Sequence, residues 1–125
     1  MAGRRILIVD DEPYILKILA FKLRRAGYET LEAESGDAAL EIARSTPVDC
    51  IILDVNFPNP PDGFLVAEQL RDDPRTCRVP VVFLTARAMP SDRRLGENLG
   101  AVAFITKPFS LQQVLDHVTR LLPPA

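Results

Sequence analysis

Three runs of large apolar residues, Ile6-Leu7-Ile8-Val9, Ile51-Ile52-Leu53 and Val81-Val82-Phe83-Leu84, constrain this chain most, because none of them alternates with polar residues. A strand with one solvated face alternates; a strand covered on both faces does not, and such strands belong to parallel sheets sandwiched between helices. Each run also stops at a polar side chain, at Asp10-Asp11, at Asp54 and at Thr85.

The segments between the runs carry helical signals. After a first strand over 4–9, Pro13 stands at a favourable first helical position, and a helix over 13–26 carries Ile15, Ile18, Leu19 and Leu23 before Gly27 closes it. A shorter, more polar strand over 28–33 reads as an edge. Ser35-Gly36-Asp37 opens a second helix, with Leu40 and Ala43 inward, that ends before Pro47. The third strand, 48–54, leads into a breaker-rich loop over 56–63, and a third helix runs to Asp72. The fourth strand covers 79–85. A helix over 91–99 carries Leu95 and Leu99 at i, i+4 but also Gly96, which costs roughly 1 kcal/mol relative to Ala and marks it as marginal and mobile. A fifth strand over 101–105 leads to Thr106-Lys107-Pro108. The last helix, 110–122, presents Leu111, Val114, Leu115, Val118 and Leu122 on one face and stops at Pro123-Pro124. Five strands alternating with five helices predict a doubly wound α/β fold with a parallel sheet.

At 125 residues, 47% apolar and 26% charged, the chain matches one domain with a real core, over 4–122, and 123–125 reads as a tail or the start of a linker. No apolar run approaches a membrane span, and the start of the chain lacks a leader's length and cleavage pattern, so the expected location is the cytoplasm. The net charge of -2 and the scattered arginine pairs argue against nucleic acid as a direct partner. Cys50 and Cys77 fit neither a zinc site nor a redox motif and read as free thiols, and the single His117 reads as a surface residue.

In open α/β sheets, ligands bind beyond the carboxyl ends of the strands. Here those ends carry Asp10 and Asp11, Asp54, Thr85 and Lys107. Three converging carboxylates repel one another unless a cation joins them, and an all-oxygen donor set suits Mg²⁺ or Mn²⁺. With that charge neutralised, a carboxylate can attack phosphorus and form an aspartyl phosphate; Asp54, alone at its strand end, is the natural nucleophile. Lys107, Thr85 and backbone N–H groups after the fourth strand, beginning at Ala86, would receive the phosphoryl oxygens. Only three of the fifteen basic residues are lysines, which suggests that position 107 requires a compact ammonium. Lys107-Pro108 also invites a cis peptide.

From Asp10-Asp11 through Asp54 and Thr85-Ala86 to Lys107-Pro108-Phe109, the chain resembles the receiver domains of two-component response regulators, over residues 4–122. The resemblance implies a flavodoxin-like sheet of order 2-1-3-4-5. It implies a metal held by Asp11, Asp54 and the Asn56 carbonyl, with Asp10 assisting through water. Asp54 would accept a phosphoryl group from a phosphohistidine on a sensor histidine kinase or a histidine phosphotransfer protein, the domain catalysing only its own phosphorylation and dephosphorylation. Thr85 and Phe104 would form the switch pair. Asn56 and Arg87 would flank the phosphoryl group and tune its removal. The face made by the fourth helix, fifth strand and fifth helix, with Arg93, Arg94, Glu97 and Asp116, would meet an output partner or a second copy.

One stretch departs from the family pattern. The loop after the acceptor usually reaches its glycine eight positions on, whereas Gly63 lies nine after Asp54, and Pro58, Pro60 and Pro61 intervene. Two other readings fit the sequence less well. A phosphorylation-independent interaction module on the same fold has no need of all five of Asp10, Asp11, Asp54, Thr85 and Lys107. An aspartyl-phosphate phosphohydrolase would carry a second Asp two residues after its nucleophile, where this chain has Asn56.

Overall fold

A computed structural model describes residues 3–124; Met1 and Ala2, the first residues of the segment read for a leader, and Ala125, the last residue of the tail, lie outside the described residues. Five strands, β1 (Arg5–Val9), β2 (Glu29–Ala33), β3 (Cys50–Leu53), β4 (Val81–Thr85) and β5 (Ala103–Thr106), form one parallel sheet in the order β2-β1-β3-β4-β5. Helices α1 (Pro13–Arg25), α2 (Gly36–Ser45), α3 (Gly63–Asp72), α4 (Pro90–Asn98) and α5 (Leu111–Leu121) follow them in strict alternation.

The continuous apolar runs are buried on both faces because successive side chains of a strand point to opposite sides. From β1, Leu7 and Val9 join Ile51, Leu53, Val81 and Phe83 under α2 and α3, while Ile6 and Ile8 join Cys50, Ile52, Val82 and Leu84 under α1 and α5. Removing such side chains from water stabilises the fold by about 1.5–3 kcal/mol apiece. The expected edge position of the second strand is observed, and Glu29 and Glu32 face solvent there.

The helices begin where their caps allow. Ser35, Asp62 and Ser110 each accept a hydrogen bond from the backbone N–H three residues on, at 3.1, 2.8 and 3.0 Å, contacts that typically contribute about 1 kcal/mol each. Helix α1 has no side-chain cap, and Pro13 starts it by omitting a donor that would have no partner. Helix α4 likewise starts on Pro90, one residue before the position read from sequence.

Several strands are shorter than their apolar runs. β3 covers Cys50–Leu53 rather than 48–54 and β4 starts at Val81 rather than 79, although Val48 and Val55 are buried all the same. Burial extends beyond the ladder there, so apolar pattern overstates strand length. Helix α4 is a larger correction. Its buried positions are Asp92 and Gly96, whereas Leu95 is 42% exposed. A Cβ on Gly96 would lie 3.1 Å from Phe104 Cδ2 and 3.3 Å from Phe83 Cδ2. The glycine read as a weakness is thus what lets the helix approach two aromatic rings. His117, read as a surface residue, is half-buried on α5.

Candidate functional site

The backbone ladder carries on past the strand ends and sets the site in register. Val9 pairs with Leu53, Asp54 N donates to Val9 O at 3.0 Å, and Asp10 N donates to Ala33 O at 3.1 Å. Asp10 and Asp54 therefore leave adjacent strands at the same level. This is where the strand order reverses, since β1 lies between β2 and β3 and the connections turn to opposite faces on its two sides. On the other side Thr85 pairs with Thr106, and Lys107 N donates to Thr85 O at 2.9 Å.

At this edge carboxylate oxygens of Asp10, Asp11 and Asp54 lie within 4.8 Å of one another. Lys107 Nζ reaches Asp10 Oδ2 at 2.8 Å and Asp54 Oδ2 at 3.0 Å, with Glu12 Oε1 at 3.7 Å. Asp10 and Asp54 are 2% and 5% exposed, so the ammonium offsets charge that water cannot reach. Burial raises the Asp10 carboxyl above its ordinary range despite the Lys107 contact and the Glu12 N–H on Oδ1. Burial pulls the Lys107 ammonium down, but its bonds to Asp10 and Asp54 outweigh that and hold it above the usual lysine value. Both shifts describe one ammonium serving crowded acids. An oxygen-only cluster of this kind can hold a hard divalent cation.

Asp54 is held by its own chain as well. Its Oδ1 accepts from Val55 N at 2.6 Å and Asn56 N at 3.3 Å, leaving Oδ2 directed at Lys107. Asn56 itself is exposed. The Thr85 hydroxyl is fully buried and accepts from Arg87 N at 3.1 Å, which leaves its proton free to donate; Ala86 follows at the exposed start of the loop. The Lys107-Pro108 peptide is cis.

Two expected residues lie away from the carboxylates. Arg87 turns to Asp92, with Nε 2.8 Å from Oδ1, and its guanidinium stacks over the Phe64 ring at 5.3 Å from the centroid. Phe104 packs half-buried against Phe83, with ring centroids 5.8 Å apart, beneath the Arg93 guanidinium.

The proline-rich loop, where the chain departs from the family pattern, follows a defined path. Gly63 N donates to Val55 O at 2.8 Å, and a Cβ on Gly63 would fall 2.1 Å from Asp54 O. Only glycine allows the start of α3 to close against the Asp54 backbone. Pro61 is buried against Gly36, where a Cβ would lie 2.7 Å from Pro61 O, and Phe57 packs on the core. Between Phe57 and Pro61, Pro58, Asn59 and Pro60 are exposed. Sequence reasoning missed Asp92, whose signal was an acid at the third position of a helix opened by Pro90. It also missed Thr76, which is buried and donates to Leu70 O at 2.7 Å.

The family model described as "Response regulator receiver domain" matches residues 6–119. The chain belongs to that family. This receiver domain is 39% identical over 118 residues to the DNA-binding dual master transcriptional regulator RpaA of Synechocystis sp., covering 94% of the chain and 48% of the relative. It is 40% identical over 120 residues to the alkaline phosphatase synthesis transcriptional regulatory protein PhoP of Bacillus subtilis, covering 96% and 49%. The chain thus spans about half the length of these curated relatives. Among solved structures, the Vibrio cholerae chemotaxis protein CheY4 superposes with a TM-score of 0.88 at 32% identity, covering 95% of this chain and 98% of that one. The receiver domain of a sensor histidine kinase from Pseudomonas aeruginosa PAO1, with a magnesium ion coordinated in its active-site cleft, superposes with a TM-score of 0.85 at 29% identity over 96% and 98%. The sheet order of this receiver domain is the one the resemblance implies, and its alternating strands and helices, five of each among the described residues, are those read from the sequence pattern.

Proposed function

We propose that this receiver domain accepts a phosphoryl group on the Asp54 carboxylate from a phosphohistidine, carried by a sensor histidine kinase or a histidine phosphotransfer protein in the cytoplasm. The observation that carries the reading is the bridging of buried Asp10 and Asp54 by one Lys107 ammonium beside Asp11, since a structural ion pair gains nothing from a third carboxylate.

The donor set fits Mg²⁺ or Mn²⁺: Asp11, Asp54 and the Asn56 carbonyl would hold the ion, with Asp10 acting through water. When bound, such an ion neutralises carboxylate charge and orients phosphoryl oxygens. The chain's own residues do the rest. The Val55 and Asn56 amides fix Asp54 Oδ1 and so orient the carboxylate for in-line attack through the other oxygen. Lys107 then exchanges a carboxylate for a phosphoryl oxygen, and the Thr85 hydroxyl and the Ala86 N–H supply further donors. Thr85 and Phe104 act as the switch pair, and Asn56 and Arg87 tune hydrolysis.

Output passes through the face of α4, β5 and α5. Leu95, Val102 and Leu121 are exposed on or beside these elements, as are the charged Arg93, Arg94, Glu97 and Asp116, a composition suited to a partner or a second copy. RpaA and PhoP are named as transcriptional regulators and are about twice as long; we assign the region shared with this chain to reception rather than to DNA contact, in keeping with its net charge of -2. No helix among the described residues is long and apolar enough to cross a membrane.

The test is intact mass after incubation with Mg²⁺ and acetyl phosphate. Wild type should gain one phosphoryl group and Asp54→Asn none. No adduct on wild type with any donor or kinase would remove the reading, and turnover of unrelated phosphoesters would favour a hydrolase.

A further inference from the structure

The acids buried among the described residues are Asp10, Asp54 and Asp92. Two belong to the site, and the third, 6% exposed, stands on the first turn of α4. Both its oxygens are engaged: Oδ1 accepts from Arg87 Nε at 2.8 Å, and Oδ2 accepts from Met89 N at 3.0 Å. Exposed ion pairs contribute little, but removing the partner of a buried carboxylate is costly. Arg87 is therefore held by more than a surface contact.

Its position makes that hold consequential. Arg87 lies two residues after Thr85 and donates its N–H to the Thr85 hydroxyl. Its guanidinium rests on Phe64, the residue after Gly63, which itself packs on the Asp54 backbone. The residue thus runs from the Thr85 turn, past Phe64, to the first turn of α4.

We propose that Asp92 is a positioning residue that withholds Arg87 from a phosphoryl group on Asp54. The inference rests on the phosphorylation reading above. A phosphoryl group brings about -1.5 to -2 charge and three acceptor oxygens. A guanidinium matches that fork better than a single carboxylate oxygen. When Arg87 transfers, Asp92 keeps only the Met89 N–H, and the first turn of α4 loses the cation that neutralised its buried acid. Phe64 loses its cover as well, and Phe64 leads through Phe83, at 5.3 Å, to Phe104. The pair therefore opposes phosphoryl binding and couples it to the output helix, since a ligand shifts a two-state element only by its differential affinity for the states.

The test measures binding of beryllofluoride with Mg²⁺, a stand-in for the phosphoryl group, to wild type, Asp92→Asn, Arg87→Gln and the double variant. Asn retains the oxygen facing Met89 N, and Arg87→Gln opens the same pair from its exposed partner, so unfolding does not confuse the result; thermal midpoints check this. Asp92→Asn should bind roughly threefold to tenfold more tightly, more than an exposed ion pair would give because the carboxylate partner is buried. Arg87→Gln should bind less tightly than wild type, and the double variant should match Arg87→Gln. No gain in Asp92→Asn, or a gain that persists in the double variant, overturns the proposal while leaving the Asp54 reading intact. Failure of wild type to bind at all brings down that reading, and this inference with it.

Discussion

Two clusters of opposite charge stand at different places on this sheet, and they are built on opposite principles. At the carboxyl edge, Asp10 and Asp54 are buried and share one ammonium, with Asp11 beside them. In the turn after α3, Asp73 stands alone among donors: the Arg75 guanidinium at 2.8 and 3.1 Å, the Arg75 N–H at 2.9 Å, and Arg44 at 3.4 Å. Hydrogen bonds from the Arg75 side chain and backbone hold the Asp73 carboxyl down at about 2, whereas burial pushes Asp10 up. One cluster has more donors than its acid needs and is finished. The other has more acid than its cation can serve, and an excess of buried carboxylate is what a divalent cation and a phosphoryl group can resolve.

The comparison breaks most severely at Gly63. Gly63→Ala forces a Cβ to 2.1 Å from Asp54 O, and the loss should exceed the ~1–3 kcal/mol usual for overpacking, read as a drop in urea midpoint together with loss of phosphorylation. Lys107→Ala comes next. It strips the buried acids of their cation and should cost about 3 kcal/mol in metal-free buffer, with a large part restored by millimolar Mg²⁺. Loss that Mg²⁺ does not restore would mean that the three acids do not form a cation site. Acid titration distinguishes the clusters by sign. Asp73, with its pKa depressed to about 2, contributes stability that is complete above pH 4 and drains away as pH falls through about 2. Asp10, with its pKa raised, costs stability once ionised, and that cost is relieved as pH falls through its folded value. Asp10→Asn should therefore gain in relative stability at pH 7 and lose that advantage near pH 3, as read by thermal midpoints. Arg75→Ala should have the smallest effect of all: a slight fall in midpoint, unchanged by Mg²⁺ and without consequence for phosphorylation.

What could be read from the sequence follows the same division. The site residues sit at the ends of continuous apolar strands, where pattern is strongest, so Asp10, Asp11, Asp54, Thr85 and Lys107 could all be placed on one edge from their order alone. The parallel ladder then leaves little freedom about which of them meet. Long-range packing was not legible. Gly96 looks like a helix weakness until Phe104 and Phe83 are brought against it. Leu95 looks inward by its spacing with Leu99, yet the turn that faces the sheet carries Asp92 and Gly96. Arg87 is two residues from Thr85 in sequence, and nothing local indicates that its side chain turns to an acid five residues on. The path of the loop over 56–63 depends on Gly36, which enters from another helix.

The central claim is that Asp54, and neither of its acidic neighbours, accepts the phosphoryl group. Borohydride reduction of the acetyl phosphate-treated protein converts an aspartyl phosphate to homoserine, and peptide mapping then locates it. The label should fall on Asp54 alone and require a divalent cation. Label on Asp10 or Asp11, or none on Asp54 in protein that carries a phosphoryl group, would contradict the account.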